Sequence, residues 1–320
     1  MATLRDLHIL PRVRDSLSYL YVEHCRIDQE AKAISIQDAI GKTPVPCAAL
    51  SVLMMGPGTT ITHAATRVLA ENGCLAIWSG EEGVRMYAQG MGETRSSRNL
   101  LKQAELWADE NSRLEVVCRM YSMRFDEELA PDLSIRQIRG KEGIRVREAY
   151  GNASRLTGVT WRGRAYKRGQ WATNDPVNRA ISAANSCLYG ICHAAIVSSG
   201  YSTAIGFIHT GKMLSFVYDI ADLYKVDLAI PMAFRVAAQG SHDIESRIRK
   251  ECRDVFHRYR LLQRIVPDIH FALGIAGRRP AHTALVDLDP GLPGGIWDPY
   301  EGELEGGVNR GEESPWEESS

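Results

Sequence analysis

The segment FIHTGKMLSFVYDIADLYK, residues 207–225, carries an imidazole, His209, ahead of two carboxylates three positions apart, Asp219 and Asp222. On a helix turning 100° per residue, Tyr218, Asp222 and Lys225 fall within about 60° of one another, and Asp219 lies at the edge of that arc. The remaining positions are Phe216, Val217, Ile220, Ala221, Leu223 and Tyr224, so the helix is expected to be buried on several sides. Ionised carboxylates there cost on the order of several kcal/mol unless they are paired or bind a cation. A divalent metal is one solution and an ion pair with Lys225 or Lys212 is the other. This helix alone leaves both open.

A third acid stands out elsewhere. Glu142 lies in QIRGKEGIRVREAY among Arg136, Arg139, Lys141, Arg145 and Arg147. Read alone, it belongs to a solvated, salt-bridged helix. Taken together, Glu142, His209 and Asp222 form a mixed oxygen and imidazole set. Such a set suits Mg²⁺ or Mn²⁺ at a phosphate-handling site better than structural zinc. Such an ion polarises a phosphoryl oxygen and positions an attacking oxygen.

Groups suited to phosphates and bases surround this set in the sequence. Arg249, Lys250, Arg253, Arg258, Arg260 and Arg264 recur along one expected helix, a stripe that can track a nucleic-acid backbone. In WRGRAYKRGQW, Trp161, Tyr166 and Trp171 alternate with Arg162, Arg164, Lys167 and Arg168, which suits stacked bases with phosphates alongside. A solvated helix face and ordinary core packing are the plainer readings of the two. GMG at 90–92 lacks the frame of a dinucleotide site, and HTGK at 209–212 is not a phosphate loop. There is no G-x-S-x-G elbow. CLYGICH at 187–193 reads as core helix, and His63 and His193 as packed or capping residues.

The elements that must hold these residues divide in two. Residues 17–90 read mostly as strands, in SYLYVEHCRI, AKAISIQD, VPCAALSVLMM and GCLAIWSG. One helix interrupts them, with Thr62 as N-cap and Gly73 beyond its end. After Gly90 and Gly92 the pattern turns helical: 98–125, 135–156, a helix opening at Asp175-Pro176 and closing by Gly200, and 241–266. The expected organisation is α+β. A small N-terminal β-domain of mostly antiparallel strands with one helix spans 1–90, a larger all-α catalytic domain spans 91–284, and an acidic Gly/Pro-rich tail, largely disordered, spans 285–320.

Composition sets the bounds. The chain of 320 residues is 44% hydrophobic and 24% charged, enough for two domains and a sizeable core. No unbroken run of 18 apolar residues is present, so no membrane span is expected, and the N-terminus lacks a signal-peptide pattern. Seven scattered cysteines fit reduced thiols of a cytoplasm. The net charge of -1 hides a tail of ten acids and one base, against 37 bases and 29 acids before it. A basic body suggests a polyanion partner; a solubilising tail on an ordinary domain explains the same numbers.

Several blocks together resemble one family. THAATR, GVRMYAQG, IRGKEGIRVR, GVTWRGRAY, ISAANSCLYG, GYSTAIGFIHTGKMLSFVYDIADLYK and CRDVF occur in the order and spacing seen in the CRISPR adaptation integrase Cas1. The form resembled is the one that accompanies Cascade-type (subtype I-E) systems, over residues 10–265. The resemblance implies a homodimer, two of which flank a dimer of the partner Cas2. It implies integration of a captured DNA fragment, the prespacer, into the CRISPR array, each 3′-hydroxyl attacking a phosphodiester at a repeat boundary, and metal-dependent nuclease activity on branched DNA. It makes Glu142, His209 and Asp222 the ligands of Mg²⁺ or Mn²⁺, with Asp219 supporting them. It places Tyr166, Trp171, Tyr189, Lys212, Tyr218 and Lys225 along the site or the DNA strand, and Arg67, Arg85, Arg249 and Arg253 on the DNA path. Thr60 and His24 depart from the arginine and aromatic residue expected at their positions. Two other functions fit the residues: a stand-alone metal-dependent nuclease on branched DNA in repair, and a non-catalytic DNA-binding scaffold.

Overall fold

The structure, a computed structural model, describes residues 19–31, 33–47, 50, 52–80, 86–90, 97–125, 128–130, 132–164, 175–275, 296–299 and 302–304. The chain divides into two compact units, Leu10–Gly277 and Met1–Ile9 with Arg278–Ser320. In the second unit the strands Ile296–Asp298 and Gly302–Leu304 pair as an antiparallel hairpin; the rest of the tail lies outside the described residues.

The β region of the first unit holds eight strands: β1 (Tyr19–Val22), β2 (Arg26–Glu30), β3 (Ala33–Gln37), β4 (Lys42–Val45), β5 (Val52–Met55), β6 (Thr60–Ile61), β7 (Leu75–Ser79) and β8 (Met86–Gly90). They form two four-stranded sheets, ordered β1-β5-β7-β8 and β4-β3-β2-β6. The expectation of mostly antiparallel strands holds for half of the pairings. β2–β3, β3–β4 and β7–β8 are antiparallel, whereas β1–β5, β5–β7 and β2–β6 are parallel. Parallel pairing needs a crossover connection. The helix α1 (His63–Glu71) supplies one between β5 and β7, and three strands of the second sheet, β2, β3 and β4, lie in the chain between β1 and β5. Thr62 caps α1, its Oγ1 accepting from Ala65 N at 3.3 Å, and Gly73 takes a φ of 57° beyond its end.

The run VLMM of β5 is buried on both faces, as strands covered on two sides are. Leu53 and Met55 join Ile27, Ile34 and Leu69 in a core shared by both sheets and α1. Val52 and Met54, with Leu75 and Ile77, pack instead on Ala194 and Val197. Those two residues belong to α5 (Pro176–Ser198), which therefore ties the sheets to the helices.

The helical region contains α2 (Arg98–Ala108), α3 (Glu110–Ser122), α4 (Ile135–Thr157), α5, α6 (Ser215–Tyr224), α7 (Ile230–Ala238), α8 (Ile244–Arg258) and α9 (Leu261–Ala272). Two expected helices are each divided. Asp109 leaves α2 with extended backbone and caps α3, accepting from Ser112 N at 2.7 Å. Arg260 adopts a φ of 48° between α8 and α9. α5 begins at Pro176, as expected, and CLYGICH lies inside it. By length and composition α5 could cross a membrane. It is instead the central core helix, with residues such as Ile181, Leu188, Cys192 and Ile196 fully or almost fully buried. No disulfide links the seven cysteines.

His193 on α5 is half-buried, and burial lowers its pKa from 6.5 to about 4. An unfolded chain takes up this proton near 6.5, whereas the folded chain resists it until about pH 4. The neutral ring's contribution to stability is therefore complete above pH 6.5 and is lost as pH falls to 4. Urea titrations across that window should show a shallower loss of stability for His193→Gln than for the wild type; parallel pH profiles for the two proteins would refute this.

Candidate functional site

Glu142 stands on the inward face of α4. Ile138, Glu142, Arg145, Ala149 and Ala153 recur at spacings of three and four, and Ile138 and Ala153 are buried. The helix starts at a capping box made by Ser134 and Gln137. Its far end is fixed by Tyr150, which stacks on Trp161 at 4.4 Å and 7°, both rings packing against Phe234 of α7. Trp161 is thus a core residue; Tyr166 and Trp171 lie outside the described residues, as does Arg85.

Asp219 and Asp222 share α6 but have different environments. Asp219 is fully buried. Its Oδ2 accepts the backbone N–H of Phe207 at 2.6 Å and of Ile208 at 3.1 Å, and its Oδ1 accepts that of His209 at 2.8 Å. The same Oδ1 lies 2.7 Å from His209 Nδ1. One carboxylate therefore binds three successive amides of an irregular loop and fixes the ring that follows them. With Nδ1 as the donor, Nε2 of the neutral imidazole is left as the acceptor. The hydrogen bond to Asp219 raises the pKa of His209 against the opposing effect of burial, and the Asp219 and Asp222 charges add to the rise.

Asp222, by contrast, faces a cavity of about 880 Å³ that Glu142, His209, Arg113, Arg124 and Lys225 help to line. Its Oδ2 stands 4.0 Å from His209 Nε2, and its Oδ1 pairs with Lys225. Burial alone would pull the Lys225 ammonium down, but Asp222 and Tyr189 beside it reverse this and its pKa is raised. Glu142 is held by Arg145 through two contacts, at 2.9 and 3.2 Å. Arg124 lies between the acids, with Nη1 3.5 Å from Glu142 Oε1 and 3.7 Å from Asp222 Oδ2. The three residues of the expected ligand set thus meet at one cavity. As they stand, no three His, Cys, Asp or Glu side chains among the described residues are close enough to enclose an ion. The donors nevertheless suit a hard divalent cation: two carboxylates and an imidazole whose free nitrogen turns toward them.

Two features position α6 and the loop before it. After Tyr224 the helix widens into a π turn, Lys225–Ala229, where Ile230 N–H bonds to Lys225 O five residues back. Pro231, which has no N–H to give the regular ladder, follows at once. The loop is strapped by α2 and α3. Asn99 Nδ2 donates to Ser199 O, buried Gln103 Nε2 donates to Ser202 O and Ile205 O, Trp107 Nε1 donates to Gly206 O, and Arg113 Nη2 donates to Phe207 O. These side chains give an interior loop the partners that backbone carbonyls require. Gly206 must be glycine: a Cβ there would lie 2.3 Å from His209 O.

Of the expected strand-contacting residues, Tyr189, Tyr218 and Lys225 cluster at the site. Tyr218 meets His209 edge-on at 5.9 Å and Tyr189 at 5.1 Å, and Lys225 lies 6.0 Å over the Tyr189 ring. Lys212 is exposed in the loop. Arg67 is on α1, beside Glu71 at 3.6 Å, and Arg249 and Arg253 are on α8. The sequence reading did not single out Arg124, Gln103 or Trp107. Only the four-residue spacing of Asn99, Gln103 and Trp107 hinted at a polar helix face.

A family model described as "CRISPR associated protein Cas1" matches residues 120–266, which include Arg124, Glu142, His209, Asp219 and Asp222. A protein named CRISPR-associated endonuclease Cas1 2, from Thermus thermophilus, is 53% identical over 320 residues, 99% of this chain and 97% of the relative. The chain belongs to the Cas1 family. CRISPR-associated endonuclease Cas1 from Geobacter sulfurreducens is 46% identical over 83% of this chain and 87% of its own length. Among solved structures, a crystal structure of a TtCas1–DNA complex matches at a TM-score of 0.74 and 54% identity, over 84% of this chain and 100% of that one. The β region followed by a larger helical part is the Cas1 arrangement.

Asp219→Asn puts an amide among four donors and should cost about 3 kcal/mol of unfolding free energy, measured in urea. Gly206→Ala should destabilise by about 1–3 kcal/mol through its backbone clash. A change below about 0.5 kcal/mol in either would show that the loop is not held as described.

Proposed function

We propose that this chain is the metal-dependent endonuclease and integrase of CRISPR adaptation, acting on phosphodiesters of DNA with a 3′-hydroxyl or water as nucleophile. The observation that carries the reading is the cavity at which Glu142, Asp222 and the oriented His209 converge, with Arg113, Arg124, Arg139, Arg164 and Lys225 in its lining. Phosphoryl transfer needs charge neutralisation and positioning more than a protein nucleophile. In this reading Glu142, His209 and Asp222 hold Mg²⁺ or Mn²⁺, which supplies Lewis-acid polarisation of a phosphoryl oxygen when bound. Asp219 keeps His209 Nε2 turned to the site. Lys225 neutralises Asp222, and Tyr189 and Tyr218 wall the side next to His209.

The arginines of the cavity then draw in the phosphate backbone, while Lys212, Arg67, Arg249 and Arg253 extend that path. The name of the Thermus relative and the DNA complex among the related structures support the endonuclease and DNA-binding parts. The homodimer, the Cas2 partner, the prespacer and repeat substrates and the Cascade-associated subtype rest on the sequence blocks quoted above.

Strand transfer and nuclease assays with Mn²⁺ test the reading. Asp222→Ala and His209→Ala should each lower activity at least about 10²-fold while melting as cooperatively as the wild type, and a chelator should abolish wild-type turnover. Full activity in folded Asp222→Ala would contradict the assignment. A protein that binds DNA with a steep salt dependence yet stays inert with Mn²⁺ is the scaffold instead, a reading that the existing Lys225 and Arg145 pairs favour.

A further inference from the structure

We infer that Arg124 competes with a divalent ion for Glu142 and Asp222: its guanidinium takes the place between the two acids that such an ion needs, and the ion binds by displacing it. This rests on the metal-site reading above and adds a competitor to it.

Three observations carry the inference. The first is location. Arg124 Nη1 is within 4 Å of one oxygen from each acid, at 3.5 and 3.7 Å, and a cation serving both carboxylates must approach the same two side chains. The second is redundancy. Glu142 already has Arg145 and Asp222 already has Lys225, so the two acids are matched in charge without Arg124. Its guanidinium is a further positive charge beside those two pairs, and it works against another cation entering. The third is the looseness of its hold. The side chain is only 3% exposed, yet its contacts to the acids exceed hydrogen-bond length. Its Nε and Nη2 have no hydrogen-bond partner among the described residues. A buried arginine normally uses its whole fork. Here its support is the Tyr121 ring, 5.0 Å beneath the guanidinium carbon, and the cavity that it lines gives it room to move.

A cation held by position rather than by bonds neutralises the acids while the ion is out and gives way when the ion arrives. Glu142–Arg145 and Asp222–Lys225 remain in either state. The cost of displacement is then part of the metal affinity, so a neutral side chain of similar shape should raise that affinity.

The test is calorimetric titration of the full-length protein with Mn²⁺, without DNA. Arg124→Met, which retains a stem against Tyr121, should bind Mn²⁺ about tenfold more tightly than the wild type, the equivalent of one charged contact no longer broken. Arg124→Lys should fall between them, and Asp222→Asn should remove the binding in either background. Equal or weaker binding by folded Arg124→Met, with binding still dependent on Asp222, overturns the inference and leaves the metal site standing. Loss of any Asp222-dependent binding from both wild type and Arg124→Met removes the metal site and the inference together. If Arg124→Met does not fold, the wild type decides. The side-chain Nε–H signal of Arg124, assigned by its absence from Arg124→Lys, should move on saturation with Mg²⁺, and an unmoved signal overturns the displacement.

Discussion

The site depends on one buried carboxylate. Asp219 has no exposed surface, and its two oxygens take three consecutive backbone amides and the His209 ring. An irregular loop inside a core has amides without partners, and a carboxylate inside a core has charge without solvent. Either alone would be costly. Joined, each removes the other's penalty, and the geometry that joins them also sets the direction of His209. The imidazole is thus placed by the requirement that buried polar groups be satisfied.

Other elements serve that arrangement from outside. Carbonyls of the same loop are met by Asn99, Gln103, Trp107 and Arg113, so α2 and α3 hold it as well as α6. Gly206 lets the loop close tightly on the start of α6. The π turn after Tyr224 then offsets the helix directly behind Asp222, at Lys225, the residue that pairs with it. α5 runs through the centre and touches both the helical core and the sheets. Its Tyr189 reaches the site beside Tyr218.

The parts legible in the sequence were those governed by local chemistry. Thr62 and Gly73 bounded α1 and Asp175-Pro176 opened α5, because caps act within a few residues. Asp222 and His209 stood out because acids and an imidazole in an apolar segment demand partners. What was illegible depends on distant residues. Asp219 and Asp222 look alike on a helical wheel, and only the loop folding back separates the buried anchor from the one facing the cavity. Arg124 is an ordinary arginine in MYSMRF until Glu142 and Asp222 arrive from elsewhere in the chain. The break at Arg260 uses a left-handed backbone conformation that arginine seldom adopts, so no turn residue announced it. The parallel β1–β5 pairing is made across β2, β3 and β4, three strands of the other sheet that lie between its partners in the chain, which strand-by-strand patterns do not reveal.

The balance of charge at the cavity gives the fold and the chemistry a common origin. Two acids at the cavity face Arg124, Arg145 and Lys225, so each of them has a cationic partner within the protein itself. Uncompensated, the same acids would repel each other. Compensation has a consequence for the reaction proposed here. In the proposed reaction, an ion entering this site would exchange with a cation already there, so its affinity would be set by the difference between two partners. The positive charge it would release stays within a cavity already lined by arginines, where the proposed DNA phosphate would come. The groups that balance Glu142 and Asp222 are therefore the ones that would make the cavity attractive to an anionic backbone.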